Sequence, residues 1–491
     1  MTNKHTKQTN SKKAKTQAGP KAEATSVRPG QPATGKRKRG QLQPLQMRPD
    51  AAGIDIGSQE IAVAVPPNCD PEPVRTFAAF TADLHALADW LQQCGIRTVA
   101  MESTSVYWIP LFQILEERGL EVFLVNAHHI KNVSGRPTDV GDCQWIQQLH
   151  SVGLLRTSFR PPQEICAMRA VVRHRQSLTE LASQAIEHMQ KALDQMNLHL
   201  HHVISDITGE TGLRILDAIV GGERDARKLA KLRDRRIRSS EKTVSKALEG
   251  DYREEHLFTL RQSLERYRFL ERQIVDCDRE IAQRTKALAG RAEEGATVPA
   301  ASKRLSARRG TSAGWLESQR QEYFRLFGVD LTQVDGIAMG TLQTLATEVG
   351  PDLSRFRSAA AFTSWAGLTP KQEISGGKLL RSKTPKNKNR VAYALRMAAQ
   401  SLLHRRSAMG DEFRRLRTKL GMPKAITAMA RRLGCITYHL ITRRTAFDPS
   451  VPLRQQARYQ QRRQKRLQRE AAEMGFDLVP KAASAIPVQA T

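Results

Sequence analysis

The chain has 491 residues, 40% of them hydrophobic, and carries 78 lysines and arginines against 49 acidic residues, a net charge of +29. Such a length exceeds one core of ordinary size and predicts two to four structural units, while the charge favours a polyanionic partner, DNA or RNA. No apolar run approaches the roughly 20 residues that span a bilayer, and the basic start has no apolar core behind it, so neither a membrane span nor a secretory leader is expected. The six cysteines (Cys69, Cys94, Cys143, Cys166, Cys277, Cys435) show no zinc spacing and read as reduced packing residues of a cytoplasmic, nucleoid-associated protein.

Residues 1–48, rich in Lys, Gln, Thr, Pro and Gly and including Lys36-Arg37-Lys38-Arg39, read as a disordered basic arm. From Ala51 the texture changes. Gly53-Ile54-Asp55-Ile56-Gly57 and the alternating Glu60 to Val65 read as two successive strands, and Val74 to Phe80 as a third. Thr81 reads as the N-cap of a helix carrying Leu84, Leu87, Ala88 and Leu91. Thr98 to Met101 then reads as a short buried strand, Ile109 to Glu117 as a helix and Glu121 to Val125 as another strand. Adjacent strands followed by strand and helix in alternation predict a mixed sheet flanked by helices, an RNase H-like α/β layout over 49–160.

Residues 161–291 turn to long helices. Leu260, Tyr267, Ile274, Ile281 and Leu288 recur every seven residues, with Leu257 and Leu264 on the companion seam and Glu271 and Asp278 interrupting it. This pattern fits a coiled coil between chains or two helices packed within one chain. His199, His201 and His202, near the end of a helical stretch, read as a solvated or phosphate-contacting patch rather than a metal site. Residues 292–316 look like a linker. A mostly helical C-terminal unit follows at 317–447, with a basic loop near its middle. The Gln/Arg-rich segment 448–491 reads as an exposed helix or tail that meets nucleic acid.

Four carboxylates stand out. Asp55 lies mid-strand between two glycines in an otherwise apolar segment, where burying a charge is costly unless a cation or several donors meet it. Glu102 repeats the anomaly at the carboxyl end of a strand, the edge where open sheets of this kind bind ligands. Asp139 and Asp142 are three residues apart, so a helix capped by Thr138 would turn both the same way. Four carboxylates from three places suit hard divalent cations, and two Mg²⁺ ions about 4 Å apart can stabilise both attacking and leaving oxygens in phosphoryl transfer.

In the C-terminal unit, Gln333-Val334-Asp335-Gly336-Ile337-Ala338 resembles the hairpin of a helix-hairpin-helix motif, with Ala338 where its second glycine would stand; DNA contact and plain helix packing both remain open. Trp365-Ala366-Gly367-Leu368-Thr369-Pro370 and Ile374-Ser375-Gly376-Gly377 then lead into a loop holding Lys378, Arg381, Lys383, Lys386, Lys388 and Arg390. From Lys371 to Arg390 there are seven basic residues and one acid, a composition suited to phosphates. Lys378 and Arg381 are the leading phosphate clamps.

These motifs, with Met101-Glu102-Ser103-Thr104 and Thr138-Asp139-Val140-Gly141-Asp142-Cys143-Gln144-Trp145, resemble the transposases of the IS110 group, especially its IS1111 branch, from about Gly53 to Leu440. The resemblance implies a RuvC-like domain, a coiled-coil region and a C-terminal transposase domain. It further implies that Asp55, Glu102, Asp139 and Asp142 form an acidic tetrad, that Ser375 is the catalytic serine, and that an element-encoded bridge RNA pairs with donor and target DNA. Ser375 would then attack a DNA phosphate to form a phosphoserine, with Mg²⁺ on the tetrad. A homodimer or homotetramer could join one subunit's tetrad to another's serine. Two alternatives remain: a RuvC-like structure-selective nuclease using water, which has no use for Ser375, and a nucleic-acid-binding scaffold whose acids are structural.

Overall fold

In the computed structural model of the chain, which describes residues 47–103, 105–126, 130, 141–293, 295–300, 313–385 and 389–479, the alternating apolar segments of the N-terminal region form one five-stranded sheet. Its strands are β1 (Ala51–Ile56), β2 (Glu60–Ala64), β3 (Val74–Ala78), β4 (Thr98–Glu102) and β5 (Glu121–Val125), in the order β3-β2-β1-β4-β5. β1, β2 and β3 pair antiparallel through short turns, whereas β1-β4 and β4-β5 are parallel and are joined through α1 (Thr81–Gln93) and α2 (Trp108–Glu117). This is the RNase H/RuvC-like arrangement expected from the order of strands and helices. The first helix begins one residue earlier than expected: Phe80, exposed and extended, holds the N-cap position in place of Thr81, which is already helical.

Side chains alternate across a strand, and here the alternation sorts the sheet into two faces. Ala52, Ile54, Ile56, Val99 and Met101 share a core with Leu84, Leu87, Leu91, Leu111 and Leu115 of α1 and α2. The residues between them face the other way, towards α3 (Asp142–Ser151), whose Trp145, Ile146 and Leu149 pack with Ala100 and Val125. The described residues begin before Ala51, at Met47. The Arg48 amide donates to the Ser151 carbonyl at 2.9 Å and its guanidinium lies 4.3 Å from the Phe123 ring centre, so the end of the expected basic arm docks here; residues 1–46 lie outside the described residues.

Residues 1–158 and 159–491 are separate compact units. In the second, α4 (Gln163–Gln195) and α8 (Glu254–Ala287) run antiparallel. Arg175 meets Asp278, Leu178 and Ala182 meet Leu270 and Ile274, and Leu193 shares a core with Leu257 and Leu260. The heptad seam is therefore filled within one chain. Its polar interruption is also accounted for: Arg175 donates to both carboxylate oxygens of Asp278, at 2.6 and 3.0 Å, an arrangement that raises the guanidinium pKa. The helices α5 (Glu210–Val220), α6 (Ala226–Lys231) and α7 (Glu241–Ala247) cap one end of the pair around Ile215, Leu216, Leu229 and Val244.

The rest of this unit comprises α9 (Ala313–Phe327), α10 (Met339–Glu348), α11 (Ala359–Trp365), a hairpin of β6 (Lys371–Ser375) and β7 (Lys378–Lys383), and then α12 (Arg390–Ser401), α13 (Ala408–Leu420), α14 (Met422–Arg443) and α15 (Ser450–Glu473). Phe327, Phe362, Leu395, Phe413, Leu433 and Ile441 lie at its core. Two expectations change. The linker is shorter than 292–316, since α9 already begins at Ala313. The basic loop is partly a β-hairpin, because two consecutive glycines with positive φ, Gly376 (54°) and Gly377 (75°), make the two-residue turn whose twist matches paired strands.

Candidate active site

Asp55 and Glu102 come together through strand register. β1 and β4 pair in parallel with Ile54 opposite Met101, so the next residues along are Asp55 and Glu102, side by side at the carboxyl ends of their strands. Both belong to the face away from the α1/α2 core, because Ile54 and Met101 point into it. Thr98, on the same side of β4 as Glu102, gives that face its orientation: its hydroxyl lies 2.9 Å from Nε2 of His150 on α3. Both carboxylates are half-buried.

The third acid arrives with α3. This helix lies so close to β1 that a Cβ on Gly53 would stand 2.2 Å from the Gln147 amide nitrogen and 2.4 Å from the Cys143 carbonyl oxygen. Only glycine permits that approach. Gln147 also donates from Nε2 to the Ala51 carbonyl at 3.2 Å, fixing the helix along the strand. Asp142, the first residue of α3, directly precedes Cys143, whose carbonyl is one of the atoms seated against Gly53. Burial pushes the Cys143 thiol pKa up, and the charges of both Asp55 and Asp142 push it further, so one side chain senses both carboxylates.

The start of α3 corrects one expectation. Gly141, extended at φ −62° and ψ 160°, is the N-cap, and its amide donates to Oε1 of Gln144 at 3.1 Å. The helix therefore begins at Asp142; Thr138 and Asp139, on which the expected cap and its pairing of Asp139 with Asp142 rest, lie outside the described residues. Among the described residues, Asp55, Glu102 and Asp142 included, no three His, Cys, Asp or Glu side chains are grouped closely enough to hold a metal ion. The donor set itself is all carboxylate oxygen, the chemistry a hard divalent cation takes.

Ser375 sits in a different setting. It is the last residue of β6, paired across the two-glycine turn with Lys378, the first residue of β7. Directly opposed residues of an antiparallel pair project to the same side, so hydroxyl and ammonium share a face. Every residue of both strands is exposed, Ile374, Leu379 and Leu380 included. Lys383 pairs with Lys371, and Arg381 lies opposite Glu373 with their charged groups 3.6 Å apart. Ser382 pairs with Gln372 further from the turn. Lys386 and Lys388 lie outside the described residues. Arg390, the first residue of α12, bonds to Gln176 and has its Nε 3.9 Å from Glu348.

Gly336, in the segment for which the sequence leaves DNA contact and helix packing both open, has a packing role. It has φ +90°, and a Cβ there would stand 2.6 Å from the Ala398 carbonyl of α12. The histidines cluster with an acid that sequence reading missed: Nδ1 of His201 and of His199 lie 3.6 and 4.0 Å from Asp194. The Gln/Arg-rich C-terminal segment is helical over Ser450–Glu473, anchored in its first half by Tyr459 beneath Arg415 at 4.2 Å, with residues 457–470 exposed. No helix among the described residues is long and apolar enough to cross a membrane.

Residues 52–198 match the DEDD family model of the IS110 type, described as a transposase, and residues 330–414 match a second model, described as a transposase of the IS116/IS110/IS902 family. No curated protein matches the chain.

Proposed function

The chain belongs to the IS110 family of transposases, a DNA recombinase of an insertion sequence whose DEDD domain depends on divalent metal, and from that premise we propose that it cuts and rejoins DNA through Ser375. The observation that carries this reading is the position of Ser375 at the tip of an exposed basic hairpin, beside Lys378 across a two-glycine turn. A hydroxyl there can reach a phosphate without a side chain or helix in its way. Its oxygen bonds to phosphorus, the bond from phosphorus to one DNA oxygen breaks, and that oxygen leaves as a hydroxyl while the serine proton passes to solvent or a base. A second strand's hydroxyl then attacks the phosphoserine, restoring a phosphodiester and releasing Ser375. Lys378, Arg381, Lys383, Lys386, Lys388 and Arg390 supply cationic groups to the strand.

Asp55, Glu102, Asp139 and Asp142 are the residues that would hold the divalent cation, which we assign as two Mg²⁺ ions. When bound, the metal supplies positive charge for the scissile phosphate. The side-by-side register of Asp55 and Glu102 and the seating of α3 on Gly53 support this assignment. Family membership supports guidance by a bridge RNA that pairs with donor and target DNA, in a homodimer or homotetramer.

The test is a denaturing gel of end-labelled DNA incubated with protein, RNA and Mg²⁺. Wild-type and Ser382→Ala protein give a protease-sensitive adduct, and Ser375→Ala gives none although it still binds DNA. Cleavage and joining by Ser375→Ala at the normal rate would show water or another residue to be the nucleophile, as in a RuvC-like nuclease. Accurate insertion by RNA-free protein would remove the guide RNA from the scheme.

A further inference from the structure

A cavity of about 350 Å³ opens in the larger unit, with Arg169 and Arg173 of α4, Glu348 at the end of α10, Trp365 at the end of α11, Arg390 at the start of α12 and Phe159 in its walls. Three guanidinium groups converge there on one carboxylate. Arg173 donates Nη2 to Glu348 Oε2 at 2.9 Å and Nε to Oε1 at 3.2 Å, Arg169 Nε stands 3.4 Å from Oε2, and Arg390 Nε 3.9 Å from Oε1. Arg169 is committed to the fold, donating to the Thr347 and Glu348 carbonyls at 3.0 and 2.9 Å. The other two are oriented differently. The Glu348 side chain is only 12% exposed, against 46% for Arg173 and 39% for Arg390, so the mouth presents guanidinium donors with the acid behind them.

Three cations against one anion leave two positive charges in a small space, which repel one another unless a further anion enters. The remaining wall is Asn389 and two aromatic side chains, the Phe159 and Trp365 rings standing edge to face at 5.2 Å. A pocket of this size suits a small organic anion with a flat apolar part.

We propose that this cavity takes one unstacked nucleotide of a bound nucleic-acid strand, its phosphate on Arg173 and Arg390 and its base against Trp365. The Nε and Nη2 donors of Arg173 are taken by Glu348, which leaves its Nη1 and the Arg390 guanidinium for the phosphate, and any base can lie on an indole whatever its sequence. A base held in a duplex must first leave its stack, so the site selects unpaired strands. The proposal rests on the reading of the chain as a nucleic-acid enzyme, but it is independent of Ser375 and of the acidic site.

The experiment uses the full chain and three fluorescein-labelled probes of one sequence: single-stranded DNA, single-stranded RNA and blunt duplex DNA. Binding is followed by anisotropy at fixed salt. Arg173→Gln and Arg390→Gln each weaken the single strand that fits by about tenfold, as expected for loss of a charge-assisted hydrogen bond, and weaken duplex binding by less than threefold. The strand whose affinity falls, DNA or RNA, identifies the source of the nucleotide. In wild-type protein, a probe carrying 5-bromouracil crosslinks on irradiation to the peptide containing Trp365, a readout that no substitution can confound. Equal losses for single strand and duplex would reduce the cavity to a general phosphate surface and overturn the proposal, as would unchanged binding by both variants or crosslinks confined to other peptides. Failure of wild-type protein to bind any probe would instead overturn the nucleic-acid reading itself.

Discussion

The proposed acidic site and the proposed serine hairpin hold their residues in opposite ways. Asp55 and Glu102 stand on adjacent strands of a covered sheet, and Asp142 is delivered by a helix seated so tightly on β1 that a single methyl group at Gly53 would strike its backbone. Ser375 stands on two strands whose every residue is exposed, at a turn where a Cβ on Gly376 or Gly377 would meet nothing within 4 Å. Carboxylates that share a cation repel one another without it, so the scaffold must hold them together in advance. A nucleophile that attacks a bulky polyanion needs access instead, and its final position is set by the strand it binds. Substitutions should therefore damage the two regions differently.

The largest effect is expected at the acids. Asp142→Asn and Asp139→Asn each remove one charge from the proposed ligand set, and on that proposal each should lower Mg²⁺-dependent cleavage by a hundredfold or more while DNA binding, which the proposal gives to the basic segments, stays within about twofold. Cleavage and binding measured on the same preparation check this, and normal cleavage by both variants would remove the tetrad.

Next comes a matched pair of glycine substitutions. Gly53→Ala places a Cβ 2.2 Å from the Gln147 amide and should cost about 3 kcal/mol or more, because a backbone neighbour must move. Gly376→Ala puts alanine at φ 54° in open space and should cost about 1 kcal/mol, confined to the turn. Thermal melting separates the two: Gly53→Ala lowers the melting temperature of the sheet unit, and Gly376→Ala leaves it unchanged. Equal shifts would mean that the hairpin is as tightly built as the sheet.

Much of the sheet unit could be read from the sequence because its signals are local. Alternation in Glu60 to Val65 and the charged residue in apolar Gly53 to Gly57 each lie within a few residues, and the mixed character of the sheet followed from adjacent strands giving way to strand and helix in alternation. The heptad seam of α8 was readable for the same reason, but its partner was not: Arg175 and Asp278 are 103 residues apart. The hairpin escaped because Ile374, Leu379 and Leu380 face solvent and a register shift between Glu373 and Ile374 breaks the period of two, leaving only Gly376-Gly377 as its mark. The beginning of α3 was misplaced because Thr138 is a better cap by type than Gly141, whose role depends on Gln144 reaching back. Arg173 and Glu348, 175 residues apart, have nothing in their neighbouring residues that would pair them.

The last contrast concerns pH and again divides the two regions. His150 is buried beneath the sheet, with its Nε2 2.9 Å from the Thr98 hydroxyl and its ring 4.7 Å from that of Phe123. Burial, helped by the nearby Arg48 charge and opposed by Asp50, depresses its pKa from 6.5 to about 4. The unfolded chain thus takes up a proton near pH 6.5 that the folded chain refuses until about pH 4. The stability this neutral imidazole contributes is complete above pH 6.5 and is lost as pH falls towards 4, by about 3 kcal/mol over the whole window. Amide exchange reads it locally. After correction for intrinsic rates, protection of β1 and β4 should fall about a hundredfold between roughly pH 6.5 and 4.5. His150→Gln, which stays uncharged throughout, should flatten that slope, while the amides of Lys371–Lys383 show none in either protein because that hairpin does not share the sheet's core. A slope that persists in His150→Gln would assign the acid sensitivity to other groups, and a matching slope in the hairpin would mean that the two regions open together.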